Sequence, residues 1–366
     1  MIENIKSGNA KIELIHFPST QRGTDPVGPA QSRPTRKIGR GACAAAQPPN
    51  SVDKFGTILD TRNARGVFHS KSHGVMMASG ARAADINSIV RDRLEKLIGE
   101  LEEELDADVT TVFGPILYGS DNHLRAALET ITPSNRRKIA IILDTPGGIV
   151  EVVERMVEII RHHYKEVTFI VPDRAMSAGT VFVMSGDEIM MDYFSRLGPI
   201  DPQVVKDNRL VPALSYLVQF KRLVRKSQKG ELSTAEFALL TKFDLAEIHQ
   251  YEQARTLTVS LLEKWLVAYK FKNWITTEST KTPVTEGLRQ KRAREIAKTL
   301  SSNLKWRSHG RGISMETLRG DEIKLLIDDF SKRSKLSRLI RDYFELLQDF
   351  TRTRGVAQFI NTREFF

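Results

Sequence analysis

The hydrophobic positions of the chain follow three successive patterns. Between residues 84 and 105, apolar residues recur every three or four positions with charged residues between them, which predicts an amphipathic helix. Short apolar runs then alternate with helical patterns. KIAIILD (138–144) reads as a continuous apolar run, the mark of a strand buried on both faces, and VTFIVP (167–172) is predicted to be the next buried strand. This alternation predicts an α/β fold with a parallel-sheet core over about 107–205.

The two ends of the chain have other patterns. Residues 1–80 are rich in Gly, Pro, Ser, Ala and Arg and show no sustained period, which predicts a largely disordered N-terminal tail. From about residue 210 the spacing is mostly helical. We therefore predict a tail over 1–80, a globular domain with a helical C-terminal portion over 84–320, and a C-terminal helical extension over 321–366.

Composition narrows the classes of protein that fit. Of the 366 residues, 40% are hydrophobic and 27% are charged, which is ordinary for a globular protein. The formal net charge is +10, but basic and acidic residues are largely interleaved, so the pattern favours solvated faces over a nucleic-acid surface.

The chain gives few signs of a metal site, an export signal or a membrane span. Cys43 is the single cysteine, which excludes a disulfide framework and a cysteine-based metal site and fits a reducing cytoplasm. No window holds 18 apolar residues, and the first residues lack the apolar core of a signal peptide. The sequence thus predicts a cytoplasmic protein with no membrane span, no metal and no cofactor.

Two strand–helix turns carry the candidate chemistry. DTPGG (144–148) follows one buried strand, and DRAMSAGTVF (173–182) follows the next. Ligands of open parallel sheets bind beyond the carboxyl ends of the strands. Attack by a serine oxygen on a carbonyl needs two N–H donors for the oxyanion, and those of Gly148 and Ala178 would flank Ser177. Each turn also has a structural interpretation, as a Pro-Gly-Gly turn and as a serine helix cap.

The order of three motifs adds a family resemblance. DTPGG, then SAGT, then LGPIDPQ (197–203) resemble the serine peptidases of the Clp-protease and signal-peptide-peptidase A clan, and most of all the group named serine dehydrogenase proteinase. The resemblance is good over about 84–215 and weaker to about 320. It implies a ClpP/crotonase-like fold, Ser177 as nucleophile, and an oxyanion hole formed by Gly148 and Ala178. It also implies a homo-oligomer that cleaves peptides or unfolded proteins.

The base that would activate the serine departs from the family pattern. Clp-type members have a histidine about twenty-five residues after the serine, where this chain has Asp201. The later segment HGRGISMETLRG resembles the region that follows the loop of the Clp-type aspartate, which would bring His309 to the site. We therefore predict a rearranged triad of Ser177, His309 and Asp201. Signal-peptide-peptidase-like members use a lysine instead, and Lys206 and Lys221 are the alternative bases.

Two other functions are compatible with these motifs. One is a catalytically inactive crotonase-fold scaffold for assembly or binding, which the lack of a histidine near Asp201 favours. The other is an acyl-thioester (CoA) hydratase or hydrolase that uses the glycine N–H groups to stabilise an enolate. The presence of Ser177 together with the oxyanion glycine favours a serine peptidase acting on peptide bonds.

Overall fold

A computed structural model describes residues 86–131, 136–206, 209–277 and 280–366, without the side chains of residues 204–212 and 303. The disordered tail predicted over 1–80 lies outside the described residues. Within the described ranges, no helix is long and apolar enough to cross a membrane.

Strands and helices alternate through the first half of the described chain. The strands are β1 (Asp108–Phe113), β2 (Lys138–Asp144), β3 (Glu166–Ile170), β4 (Arg174–Ala175), β5 (Glu188–Met191), β6 (Arg196–Leu197), β7 (Gln203–Lys206), β8 (Arg209–Pro212), β9 (Ile313–Ser314), β10 (Asp328–Asp329) and β11 (Phe359–Asn361). The helices are α1 (Ile86–Leu105), α2 (Ser120–Ile131), α3 (Val150–His163), α4 (Ala178–Val183), α5 (Ala213–Gln228), α6 (Thr234–Leu240), α7 (Leu245–Trp265), α8 (Glu286–Leu300), α9 (Asn303–Trp306), α10 (Met315–Arg319) and α11 (Ser334–Arg354).

The central sheet has six strands in the order β10-β5-β3-β2-β1-β11. All neighbours are parallel except β11, which runs antiparallel to β1. The predicted α/β fold with a parallel-sheet core is therefore confirmed. Because the carboxyl ends of β1, β2 and β3 lie at one edge, the turns that follow them are neighbours.

Both faces of the sheet are covered, which explains the uninterrupted apolar runs of β2 and β3. Ile139, Ile141 and Leu143 of β2 pack into a large core with α2, α3, α4, α7 and α8. Ala140 and Ile142 point to the opposite face, against α1 and α11. A strand buried on both sides is mostly apolar, so its sequence does not alternate, and the buried Thr168 of β3 hydrogen-bonds to Glu188 at 3.0 Å.

The C-terminal portion holds long helices and also completes the sheet. We predicted a helical extension over 321–366, and this segment contains one long helix, α11. The same segment supplies both edge strands, β10 and β11, so it belongs to the same compact unit as the sheet.

A smaller sheet lies next to the central one. It has the order β4-β6-β9, with β4 and β6 parallel and β9 antiparallel to β6. β4 follows β3 after a short loop, and Thr145, just after β2, forms a parallel bridge with Ala175 of β4. The small sheet therefore continues from the carboxyl edge of the central sheet, where ligands of α/β proteins bind.

Candidate active site

The DTPGG turn is held against the loop that follows β1. We call residues 144–149 the glycine turn and residues 114–119 the β1–α2 loop. The N–H of Ile116 donates to Gly147 O, and the N–H of Ile149 donates to Ile116 O, both at 2.9 Å. Gly148, between these bonds, has φ +152°, and a Cβ there would lie 2.0 Å from Ile116 O. The two backbones approach so closely that only glycine fits.

Ser177 occupies a strained position between β4 and α4. Its backbone has φ 51° and ψ −117°, outside the regions that L-residues populate. Its side chain makes no capping hydrogen bond, and its hydroxyl has no partner among the described residues. Helix capping therefore does not explain this serine. Serine hydrolases present their nucleophile on a sharp, strained strand-to-helix turn of this kind.

The glycine turn and the Ser177 turn are in direct contact through Gly147. This glycine has φ +104°, and a Cβ on it would lie 3.0 Å from Ser177 Cβ, 2.8 Å from Met176 O and 3.4 Å from Ala178 N. The absence of a side chain at Gly147 therefore lets the serine approach the turn. Gly148 was predicted as a site residue from the sequence and Gly147 was not, although a Gly-Gly pair signals two unusual backbone conformations.

Two backbone N–H groups at this contact have no partner among the described residues. Ala178 is the first residue of α4, so its N–H has no acceptor one turn earlier in the helix. The N–H of Gly148 is the second, since the bonds on either side use Gly147 O and the N–H of Ile149. These are the two donors that the sequence predicted for the oxyanion, and their role remains a proposal.

The small residues around Ser177 also serve close packing. A Cβ on Gly179 would lie 2.3 Å from the methyl group of Thr145, and one on Gly198 would lie 3.0 Å from Met176 Cα. Thr180 joins the same elements, since its hydroxyl accepts from the N–H of Gly198 at 2.9 Å and lies within donating distance of Ala175 O at 2.7 Å and of Gly198 O at 2.9 Å. Small side chains here thus fix the position of the serine turn against β6.

His309 and Asp201 are hydrogen-bonded to each other. His309 Nδ1 lies 3.0 Å from Asp201 Oδ1, and the Asp201 side chain is almost wholly buried at 2% exposure. Because a carboxylate accepts, Nδ1–H of His309 is the donor, which leaves Nε2 as the acceptor. A histidine base needs this tautomer to take a proton from a serine.

The small sheet places Ser177, Asp201 and His309 beyond strand ends that lie on the same side of it. Ser177 follows β4 and Asp201 follows β6, whereas His309 precedes β9, which runs in the opposite direction. The carboxyl ends of β4 and β6 therefore lie beside the amino end of β9. Among the described residues no hydrogen bond joins Ser177 to His309, so the complete triad remains a prediction.

Comparison with known families identifies the region that carries this site. Residues 112–265 match the family model described as ClpP-like SDH-type serine proteinase. This region belongs to that family. The resemblance expected from the DTPGG, SAGT and LGPIDPQ motifs is therefore confirmed. The matched residues include Asp201 but not His309.

Two curated relatives come from Methanocaldococcus jannaschii. The uncharacterized protein MJ1495 is 30% identical over 174 residues, which are 46% of this chain and 54% of that protein. The uncharacterized protein MJ0137 is 40% identical over 68 residues, which are 19% of this chain and 24% of that protein. The chain thus spans about half the length of the first relative and about a quarter of the second.

Similar solved structures are distant in sequence. A variant of the 1510-N membrane-bound stomatin-specific protease is 21% identical with a TM-score of 0.26, over 33% of this chain and 63% of that one. Another variant, in complex with a substrate peptide, is 22% identical with a TM-score of 0.27, over 33% and 59%. ClpP1 from Listeria monocytogenes is 12% identical with a TM-score of 0.34, over 62% and 95%.

The two alternative bases predicted from the sequence, Lys221 and Lys206, lie on α5 and at the end of β7. Lys221 on α5 forms an ion pair with Glu252 of α7, with 2.8 Å between Nζ and Oε1. Lys206 ends β7, and its side chain lies outside the described part of the chain.

A buried lysine with a lowered pKa lies on the opposite side of the central sheet, near the amino ends of its parallel strands. Burial lowers the pKa of Lys270 to about 8, against the opposing effect of Glu188, Asp187 and Asp328. Its ammonium donates to Asp187 O at 3.2 Å. Asp187 directly precedes β5, at the amino edge of the central sheet, so Lys270 lies away from the turns after β2 and β3.

Asp144 adds a perturbed carboxyl to the carboxyl edge. Burial, with repulsion from Asp173 as the smaller cause, raises the pKa of Asp144 to about 6, and Arg174 opposes the shift. Its Oδ1 lies 3.9 Å from Arg174 Nε, close enough for an ion pair but without a hydrogen bond. Among the described residues, no group of three or more His, Cys, Asp or Glu side chains could hold a metal ion.

Proposed function

We propose that this protein is a serine peptidase whose nucleophile is Ser177. The observation that carries the proposal is the contact at Gly147, which sets a strained, uncapped serine beside two N–H groups without partners. A helix cap explains none of these features, whereas acyl transfer needs an uncapped serine hydroxyl beside N–H donors for the oxyanion.

The mechanism assigns one role to each group. Ser177 Oγ attacks the peptide carbonyl while its proton passes to His309 Nε2, and the Gly148 and Ala178 N–H groups bind the developing oxyanion. The imidazolium, stabilised by Asp201, then gives the proton to the leaving amine. Water hydrolyses the acyl-enzyme by the same steps with His309 again as base. Membership of the ClpP-like SDH-type serine proteinases supports peptides or unfolded chains as substrates. A homo-oligomer acting in the cytoplasm stays our prediction from the sequence.

The nucleophile is tested with a fluorophosphonate probe, which reacts with activated serines. The intact protein and the control Ser260→Ala, which removes an exposed serine on α7, are expected to label equally. Ser177→Ala is expected not to label. Equal labelling of Ser177→Ala would exclude Ser177 as the nucleophile.

The base is tested with the same probe. We expect His309→Ala to slow labelling by about 10²-fold or more, as loss of a general base does. Lys221→Ala and the control His249→Ala, at an exposed residue of α7, are expected to label at the normal rate. Normal labelling of His309→Ala together with loss in Lys206→Ala or Lys221→Ala would assign the base to a lysine.

A catalytically inactive scaffold is the second candidate. The observation that favours it is the lack of a hydrogen bond between Ser177 and His309 among the described residues. It predicts a folded protein that does not label at Ser177 under any condition tested, including added peptide. Labelling above the level of Ser177→Ala would rule it out.

A further inference from the structure

The C-terminal segment reaches the loop that supports the glycine turn. After α11 the chain crosses to β11, whose residue Phe359 pairs with Phe113 at the end of β1. At this crossing Gly114 has φ +93°, and a Cβ on it would lie 2.1 Å from Ala357 O. The residues just before β11 are therefore in van der Waals contact with the start of the β1–α2 loop.

Gln358 ties this segment to both ends of the β1–α2 loop. Its Nε2 donates to Pro115 O at 3.0 Å and also to the hydroxyl of Ser120. Ser120 is buried, and its hydroxyl accepts from the N–H of Leu117 at 2.9 Å and donates to Leu117 O at 2.7 Å. Both hydrogens of the Gln358 amide are thus donated to this region, and the two bonds hold the backbone between Pro115 and Ser120 in place.

The loop in turn holds the glycine turn. Ile116, next to Pro115, makes the two backbone hydrogen bonds that enclose Gly148. A shift of Pro115 is therefore transmitted to the Gly148 N–H through one peptide unit and two hydrogen bonds. An oxyanion donor acts only when it lies within about 3 Å of the developing charge, so small displacements reduce its effect.

We propose that Gln358 is a positioning residue for the oxyanion hole. It fixes the β1–α2 loop, and through that loop the Gly148 N–H, although it is 210 residues away from Gly148 in the chain. This role rests on the proposed function, because it concerns the same site. It makes the C-terminal segment part of the catalytic apparatus.

The first test uses substitutions that separate the hydrogen bonds from the packing. Gln358→Met keeps the length and volume but donates nothing, while Gln358→Lys can still donate to Pro115 O. We expect the second-order rate of fluorophosphonate labelling to fall about tenfold in Gln358→Met, a fraction of the loss for a missing oxyanion donor. Gln358→Lys should recover most of that loss. The control Gln228→Ala, at an exposed residue that ends α5, should label normally.

A second measurement distinguishes positioning from a general structural effect. A peptide aldehyde forms a tetrahedral adduct with its oxygen in the oxyanion hole, so its affinity should fall by the same factor in Gln358→Met. The affinity of an unreactive peptide for Ser177→Ala should not change when Gln358→Met is added. Equal losses in both affinities, or normal labelling of a folded Gln358→Met, would overturn the proposal.

Amide hydrogen exchange tests the positioning without any activity. The exchange of Ile149, whose N–H is bonded to Ile116 O, should be about tenfold faster in Gln358→Met and unchanged in Gln228→Ala. Unchanged exchange in Gln358→Met overturns the positioning role. Faster exchange in a protein that never labels would support the positioning role while rejecting the peptidase function.

Discussion

Gly147 offers a direct test of why the Ser177 turn needs a glycine beside it. Gly147→Ala would put a methyl group 2.8 Å from Met176 O and 3.0 Å from Ser177 Cβ, on a backbone with φ +104°. We expect the folded protein to lose about 1–3 kcal/mol of stability and its fluorophosphonate labelling to fall by about 10²-fold, because the serine must move. Urea denaturation and the labelling rate measure the two effects.

Gly230 provides the matched control. It too has a positive φ of +71°, but a Cβ on it would meet nothing within 4 Å. Gly230→Ala should therefore show the loss of stability that backbone strain causes, about 1–2 kcal/mol, with a normal labelling rate. A normal labelling rate in Gly147→Ala as well would mean that its contact with Ser177 has no bearing on the site.

Asp144 makes stability depend on pH in a predictable direction. Its pKa is raised from 3.8 to about 6, so between these values the folded state holds more protons than the unfolded state. Its contribution to stability is therefore present below about pH 4 and is lost as pH rises to about 6. Relative to the intact protein, Asp144→Asn should gain about 2–3 kcal/mol of unfolding free energy between pH 4 and pH 7.5.

Denaturant unfolding of both proteins at the two pH values measures this difference. The comparison at each pH cancels the titration of the other carboxyl groups, which both proteins share. A constant difference between Asp144→Asn and the intact protein would mean that Asp144 titrates normally.

Single residues were predictable from the sequence where the chemistry is local. Ser177 and Gly148 lie in short motifs next to buried strands, so the sequence indicates both the turn and its chemistry. The hydrogen bond between His309 and Asp201 was anticipated only through the family resemblance. Gln358 has no local signal, because its contacts are with residues about 240 positions earlier and depend on the whole fold.

Whole strands and helices were predictable when their own apolar pattern determines their burial. β2 and β3 are continuous apolar runs because both sheet faces are covered, and α1 shows its buried stripe at Leu94, Leu97 and Leu101. β10 and β11 are two and three residues long and carry no such pattern. Their position comes from pairing with strands that are already in place, which a sequence window does not contain.

Removal of β11 should show how much the C-terminal segment contributes. Deleting residues 359–366 leaves β1 as an exposed edge strand and removes two members of the aromatic group formed by Phe350, Phe359 and Phe366. We expect a lower unfolding midpoint and aggregation, since unpaired edges associate. Thermal denaturation followed by light scattering measures both. Phe237→Ala, on an exposed helix, is the control that should leave both unchanged.

The molecule as a whole has cores of unequal size. Two large clusters cover the two faces of the central sheet, and a third joins α5 and α7 through Ala213, Leu214, Leu217, Ile248 and Tyr251. α6 has no buried residue and exposes Phe237 and Leu239. The elements that carry Ser177 and the glycine turn belong to the large clusters, so the site does not depend on α6.

Native-state hydrogen exchange should therefore resolve at least two levels of opening. Amides of α6 should exchange at low denaturant, because opening α6 exposes little apolar surface, whereas those of β2 and β3 should exchange only with global unfolding. In the same low denaturant, labelling of Ser177 should persist, since α4 and β4 remain folded. If α6 exchanged at the same free energy of opening as β2, then α6 and the site would form one cooperative unit. Loss of labelling as soon as α6 opens would show the same.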